Sequence, residues 1–279
     1  MEQQMKTAEE LLKGAYDLHI HTGLDFRDRS VDDFEALRDA DRFEMAGIMI
    51  KNHYEPTQAR AYTANKYAGT KAVAYGGIVL NNTVGGLNPY AVENALRQGA
   101  KMVWLPTMDS TISVEQGKGQ VFPNRQSVKI LGEDGKLLPA VYDIMDCAKE
   151  HDVYMATGHL PTAQSVVFLD EALAKGVKVI FTHPDWKRDR VPVSLQTEYA
   201  AKGVLIEKVF RMLPEEEMCA SIREIGVDRC FVTTDRGQPG EEKPADAMLH
   251  YINVMLENGL TKEDIRLLIQ STPAAIVGA

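Results

Sequence analysis

Eight short apolar runs recur along this chain, and each is followed by a stretch with helical spacing. The runs are Tyr16 to Thr22, Ala46 to Ile50, Ala72 to Leu80, Lys101 to Leu105, Val153 to Ala156, Val177 to Phe181, Val204 to Val209 and Cys230 to Val232. Strands that alternate with helices pair in parallel, because a crossover helix returns the chain to the same edge of the sheet. Eight such units within 279 residues predict an α/β fold. The architecture expected is a single (β/α)8 TIM-type barrel, with residues 1–279 forming one domain. A doubly wound open sheet is the alternative. No G-x-G-x-x-G follows the first run, which argues against a dinucleotide site.

Local signals refine this outline. Ser30 stands where a helix N-cap is expected, with Asp33 three residues on, and Gly47 ends that helix. Pro214 opens a later helix whose first turn carries Glu215 to Glu217. The connection after the fourth run, Met108 to Pro139, is long. Within it Val128 to Leu131 and Lys136 to Leu138 flank Gly132-Glu133-Asp134-Gly135, which predicts a β-hairpin insertion after strand 4.

In a (β/α)8 barrel the reacting groups sit at the C-terminal ends of the strands. Five of the seven histidines lie at such ends: His19 and His21 (first run), His53 (second), His159 (fifth) and His183 (sixth). Asp235 ends the eighth. His19 and His21 are two residues apart on a strand and so project to one side. Neutral imidazoles and a carboxylate converging there form a donor set for a divalent ion. Lys51 and His53 share a face in the same way. Glu207, if inward, would be a partner for a ligating histidine. Trp104 and Phe210 are read as barrel filling, and His151 and His250 as solvent-facing.

Charge and composition exclude other classes. A net charge of −9 argues against a nucleic-acid partner. No apolar run approaches the roughly 18 residues of a membrane span, and the polar start of the chain does not read as a secretion signal. Cys147, Cys219 and Cys230 form no C-x-x-C pair. The expectation is a cytoplasmic protein with reduced cysteines, no membrane partner, and an oligomeric state left open.

The series His19-x-His21, His159, His183 and Asp235 resembles the metal-dependent hydrolases of the amidohydrolase superfamily. The stretches YDLHIHT, ATGH, FTHPD, TTDRGQP and STPAA resemble, more narrowly, the family DUF6282. The resemblance implies that His19, His21 and Asp235 hold the more buried ion. His159 and His183 would hold a second ion, or one would join the first while the other touches substrate. His53 is a further metal ligand or a substrate contact. The cofactor implied is a divalent metal, zinc first and manganese or iron as alternatives, as one or two ions. Asp235 would be general base for a metal-activated water, with Lys51 and His183 also catalytic.

Two departures stand out. The fourth run ends Trp104-Leu105-Pro106-Thr107-Met108-Asp109, without the lysine or glutamate that bridges two ions in binuclear relatives; Asp109 is the substitute on offer. Lys51 stands at the second run instead, as a relocated bridging carbamate, a free ammonium for a substrate carboxylate, or a surface lysine. Strand 2 ending in His53 also resembles the PHP phosphoesterases, but their acidic residue on strand 3 and closing Asp-x-His are missing here. The function expected is hydrolysis of a small-molecule amide, cyclic amide or lactone. The substrate would be anionic if Arg27 and Arg236 contact it. Alternatives are a mononuclear metal-dependent decarboxylase, a PHP-type phosphoesterase, and a barrel that binds metal and ligand without turnover.

Overall fold

Parallel pairing runs through the whole strand set. The structure, a computed structural model, describes residues 2–117 and 124–279. Its strands are β1 (Tyr16–Ile20), β2 (Gly47–Ile50), β3 (Val73–Gly76), β4 (Ile78–Val79), β5 (Met102–Trp104), β6 (Tyr154–Ala156), β7 (Val179–Phe181), β8 (Leu205–Lys208) and β9 (Cys230–Val232). They form a three-stranded sheet, β1-β2-β3, and a six-stranded sheet, β4 to β9 in chain order. Every ladder is parallel. This is an α/β fold with helices between successive strands.

The expected third strand is split at Gly77. Its N–H donates to Thr57 Oγ1 (2.9 Å) and its carbonyl accepts from Thr57 N (2.9 Å), so this peptide leaves the ladder for a loop. No side chain fits there: a Cβ on Gly77 would lie 2.5 Å from the Trp104 ring and 2.6 Å from Met102 O. The outer edges of the two sheets meet at β1. Ile20 bridges Arg236 in parallel, Asp235 N donates to His19 O (2.9 Å), and His21 N donates to Arg236 O (2.7 Å).

Outside β1, whose pairing with β2 shifts register between Asp17 and Ile20, strand side chains alternate between two apolar clusters, as a period of two requires. Leu18, Met49, Val79, Met102, Trp104, Ala156, Ile180 and Phe231, from both sheets, share one cluster with Ile276 and Val277. Ile20, Ile48, Ile50, Ile78, Val103, Met155, Val179, Phe181 and Ile206 join the larger cluster together with the apolar faces of the helices. Trp104 therefore packs in the smaller cluster, drawn from both sheets, while Phe210 belongs to the larger one.

Some boundaries differ from expectation. Asp32, not Ser30, caps the helix Asp33–Arg42: it accepts from Glu35 N, and Glu35 returns the bond to Asp32 N. Sequence spacing pointed to Ser30 with Asp33 three residues on; the reciprocal capping bonds form instead between Asp32 and Glu35. The hairpin expected between 128 and 138 reduces to one antiparallel bridge, Leu131 to Leu137, with Leu138 N donating to Ile130 O. Residues 118–123 of that connection lie outside the described residues. Among the described residues no helix is long and apolar enough to cross a membrane.

Candidate active site

His19 is the centre of the polar cluster at the C-terminal ends of β1 and β9. It is buried, and its Nδ1 lies 2.7 Å from Glu207 Oε1. A carboxylate accepts only, so Nδ1 carries the proton and Nε2 presents its lone pair. That Nε2 lies 3.3 Å from Asp235 Oδ1, and His21 Nε2 lies 3.1 Å from the same oxygen. Ligand atoms of His19, His21 and Asp235 all fall within 4.8 Å of one another. Among the described residues no other group of histidine, cysteine, aspartate or glutamate converges in this way.

The fit to a divalent cation follows from this arrangement. A lone pair and a carboxylate oxygen facing each other in a buried site need positive charge between them. Lys51 supplies some of it. Its side chain is buried, its Nζ is 3.0 Å from His19 Nε2, and it stands 5.4 Å from the centre of the Trp104 ring. Burial pulls its pKa down to about 8, against the pull of Asp235 and Glu207. Lys51, like His19, lies just behind the residues that line the cavity described below.

The other histidines gather on the same side. The ring of His53 is 4.8 Å from that of His21, and the ring of His183 is 5.8 Å from that of His19. His159 lies between, 5.7 Å from His53 and 5.1 Å from His183. Thr107 Oγ1 meets His53 Nδ1 at 2.8 Å and also accepts from Asn81 Nδ2. The Nδ1 atoms of His21, His159 and His183 are buried without a partner. Burial keeps these rings neutral: His21 falls to about 3, His183 to about 4, and His53 and His159 well below the usual range. Neutral imidazoles with unspent nitrogens are ligands in waiting.

Strained backbone aims two of these groups. His183 has φ +25° and Asp235 has φ +48°, a left-handed region that costs non-glycine residues about 1–3 kcal/mol. Bonds from their own amides hold them there: His183 N donates to Glu207 Oε2 (3.2 Å), and Asp235 N to His19 O (2.9 Å). Gly237 makes the approach possible, since a Cβ there would lie 1.8 Å from His21 O. Below the site, Asp17 accepts from the amides of His19 and Thr234 and from the Thr234 hydroxyl, tying β1 to the end of β9. Burial raises its pKa to about 7.

An open cavity of about 650 Å³ leads down to these groups. His21, His53, His159, His183 and Asp235 line its depth. Arg27, Arg29, Lys187 and Arg211 line its walls, with Asp28 and Trp186. Arg236 does not face it. Arg236 pairs instead with Glu241 (2.8 Å) and Glu242 (3.5 Å). Asp109 is likewise engaged elsewhere, accepting from Asn82 N (2.8 Å) and pairing with Arg125 (3.2 Å). His151 and His250 lie on the outside, against Glu93 and Glu242.

Three supports were invisible in sequence. Arg211, in the loop after β8, holds Asp235 Oδ2 at 2.6 Å and Glu241 at 2.8 Å. Arg60 donates to Asp33 and to the carbonyls of Thr22, Gly23 and Leu24, fixing the turn that leaves His21. Lys208, fully buried, donates to Asp185 (2.8 Å) and Gln196 (2.9 Å), clamping the segment just after His183. Arginine and lysine so placed carry no sequence mark, because these partners lie 12 or more residues away (Gln196 from Lys208) and meet only in the fold.

Comparison with known proteins adds two findings. Residues 14–207 match the family of unknown function DUF6282. Solved structures share the fold across nearly the whole chain. An amidohydrolase from Pseudomonas aeruginosa matches with a TM-score of 0.66 at 10% identity, covering 98% of each chain. The phosphotriesterase homology protein from Escherichia coli, complexed with phosphate in its active site, matches with a TM-score of 0.61 at 13% identity, covering 95% of this chain and 99% of its own. A 2,6-dihydroxybenzoate decarboxylase matches with a TM-score of 0.57 at 12% identity, covering 96% and 100%. No curated protein matches the sequence. The parallel α/β architecture is thus similar to that of the amidohydrolases.

Proposed function

The chain belongs to DUF6282, and we propose that it is a metal-dependent hydrolase of a small-molecule amide, cyclic amide or lactone. In this reading residues 1–279 form one domain, and the two sheets are arcs of one (β/α)8 barrel. The bonds from Asp235 and His21 to the opposite edge, and the apolar cluster drawn from both sheets, support that closure. The observation that carries the function is the buried convergence of His19, His21 and Asp235 at the floor of an open cavity.

His19 and His21 would hold a divalent ion, zinc first, with Asp235, and with His53, His159 or His183 within reach of the same space. Such an ion supplies a water acidified toward neutral pH and a Lewis acid for the carbonyl under attack. Glu207 keeps His19 in the tautomer whose Nε2 is free to ligate. Asp235 takes the proton of the attacking water and returns it to the leaving nitrogen or oxygen. Arg211 fixes the Asp235 carboxylate through Oδ2, leaving Oδ1 toward the histidines. His183 faces the cavity from a third side, placed to steady the developing oxyanion.

The experiment is metal analysis together with turnover of a lactone and cyclic amide panel. The expected result is zinc retained on purification, hydrolysis lost on chelation, and a drop of at least 100-fold in kcat for Asp235→Asn. Undiminished turnover in that variant defeats the role given to Asp235. One observation favours a second reading. Asp109 is engaged by Arg125 and Asn82, and no lysine ends β5, so that strand end offers no bridge between two ions. One ion per chain suits a mononuclear decarboxylase, and CO2 release from a hydroxybenzoate in the same panel would select it. Phosphate-ester cleavage would select a phosphoesterase.

A further inference from the structure

The charged side chains on the cavity wall are not equivalent. Arg29 is spent on Asp25, through Nε at 2.7 Å and Nη2 at 2.6 Å. Arg211 is spent on Asp235 and Glu241. Arg27 and Lys187 differ: among the described residues neither has an ion-pair partner, and both are exposed on the wall. They come from different loops, those after β1 and β7, whose strands are separated by β8 and β9. The loops after those two strands supply Arg211, Met212, Gln238 and Pro239 to the wall between them. The one carboxylate on the wall that is not engaged is Asp28, exposed and next to Arg27. The upper cavity thus has two free cations against one free acid, above a floor of neutral imidazoles.

We propose that the substrate carries an anionic oxyacid group, carboxylate or phosphate, held by Arg27 and Lys187 at the mouth while its reacting bond reaches the floor. The proposal rests on reading that floor as the reacting end. A guanidinium can take two oxygens of such a group at once, and an ammonium adds a point charge without fixed direction. A cavity of about 650 Å³ suits a small molecule. Trp186, Met212 and Pro239 are the apolar side chains of the wall, and the two free cations are what fix the charged end of the ligand at the mouth. Arg236, the other cation that sequence placed here, is taken by Glu241 and Glu242 and has no part in it.

The test titrates protein as purified, by calorimetry at low ionic strength, with glutarate, inorganic phosphate and the neutral glutaramide. Zinc content and Tm are measured on the same samples. The expected result is binding of glutarate or phosphate but not of glutaramide, and the tighter of the two names the source of the anion. The variant carrying Arg27→Gln and Lys187→Gln should bind that anion at least tenfold more weakly, with Tm and metal content unchanged. Added salt should weaken wild-type binding. Anions that bind no better than glutaramide, or bind the double variant as well as wild type, overturn the proposal. If that happens with zinc present, the metal-centre reading stands. If the double variant loses the anion in protein that holds no metal, the anion site stands and the metal-centre reading falls.

Discussion

Replacing Glu207 by Gln perturbs the carboxylate that holds His19 Nδ1 without touching a proposed ligand. Glu207 Oε1 accepts from His19 Nδ1 (2.7 Å) and Thr233 Oγ1 (2.8 Å), and Oε2 accepts from His183 N (3.2 Å). Every neighbour on both oxygens is a donor. An amide can present its oxygen to one side only, so its NH2 must face either the His19 Nδ1 proton or the His183 amide. Losing a hydrogen bond to a charged group costs about 1.5–3 kcal/mol. Partners of ligating histidines typically change metal affinity by about 10–100-fold, which is about 1.4–2.7 kcal/mol, so the two routes agree. We expect zinc affinity, measured by competition with a chromogenic chelator, to fall by that factor, with near-native circular dichroism. The same substitution reports on pH. His19 and His183 outweigh the desolvation of the Glu207 carboxylate and hold it at about 2, below its ordinary 4.5. A depressed carboxylate adds stability that is present above 4.5 and lost as pH falls toward 2. Metal-free wild type should therefore lose stability more steeply than Glu207→Gln across that window. Zinc affinity within twofold of wild type would refute the reasoning.

Two further perturbations probe the frame. Lys208→Met leaves the Asp185 carboxylate buried and unpaired, which costs about 3–5 kcal/mol. Urea denaturation should show that loss, and Asp185→Leu added to it should restore part of the loss; a single variant within 1 kcal/mol of wild type contradicts the reading of this pair. Gly237→Ala combines φ +130° with a Cβ 1.8 Å from His21 O, so it should lower Tm and zinc affinity together. Gly240→Ala, at φ +81° with nothing within 4 Å of the new Cβ, is the control and should lower Tm slightly and leave zinc alone.

The amino-acid sequence determined the order of elements and the chemistry. Each strand is a local run of apolar residues, so seven of the eight runs are single strands close to their expected bounds. The eighth, from Ala72 to Leu80, breaks at Gly77 because Thr57 captures its peptide, a contact between segments that periodicity does not record. His19, His21 and Asp235 were legible because the residue type is the chemistry and strand ends are predictable places. Glu207 was legible only as a conditional, since alternation leaves open which face of β8 is inside; the structure turns it to His19 and gives Lys208 to Asp185.

What the tertiary structure alone decided is which charges are spent. Sequence offered Arg27, Arg236, Lys51 and Asp109 as candidates for the site. A side chain's partner is whatever the fold brings within about 3 Å, and that depends on loops whose residues follow no period. Arg236 went to Glu241 and Glu242, Asp109 to Arg125, and Lys51 to His19 Nε2. Arg211, which no spacing marked, went to Asp235. Strand pattern is a local property and survives in the sequence. Pairing of long, flexible charged side chains is not local, and only the folded chain assigns it.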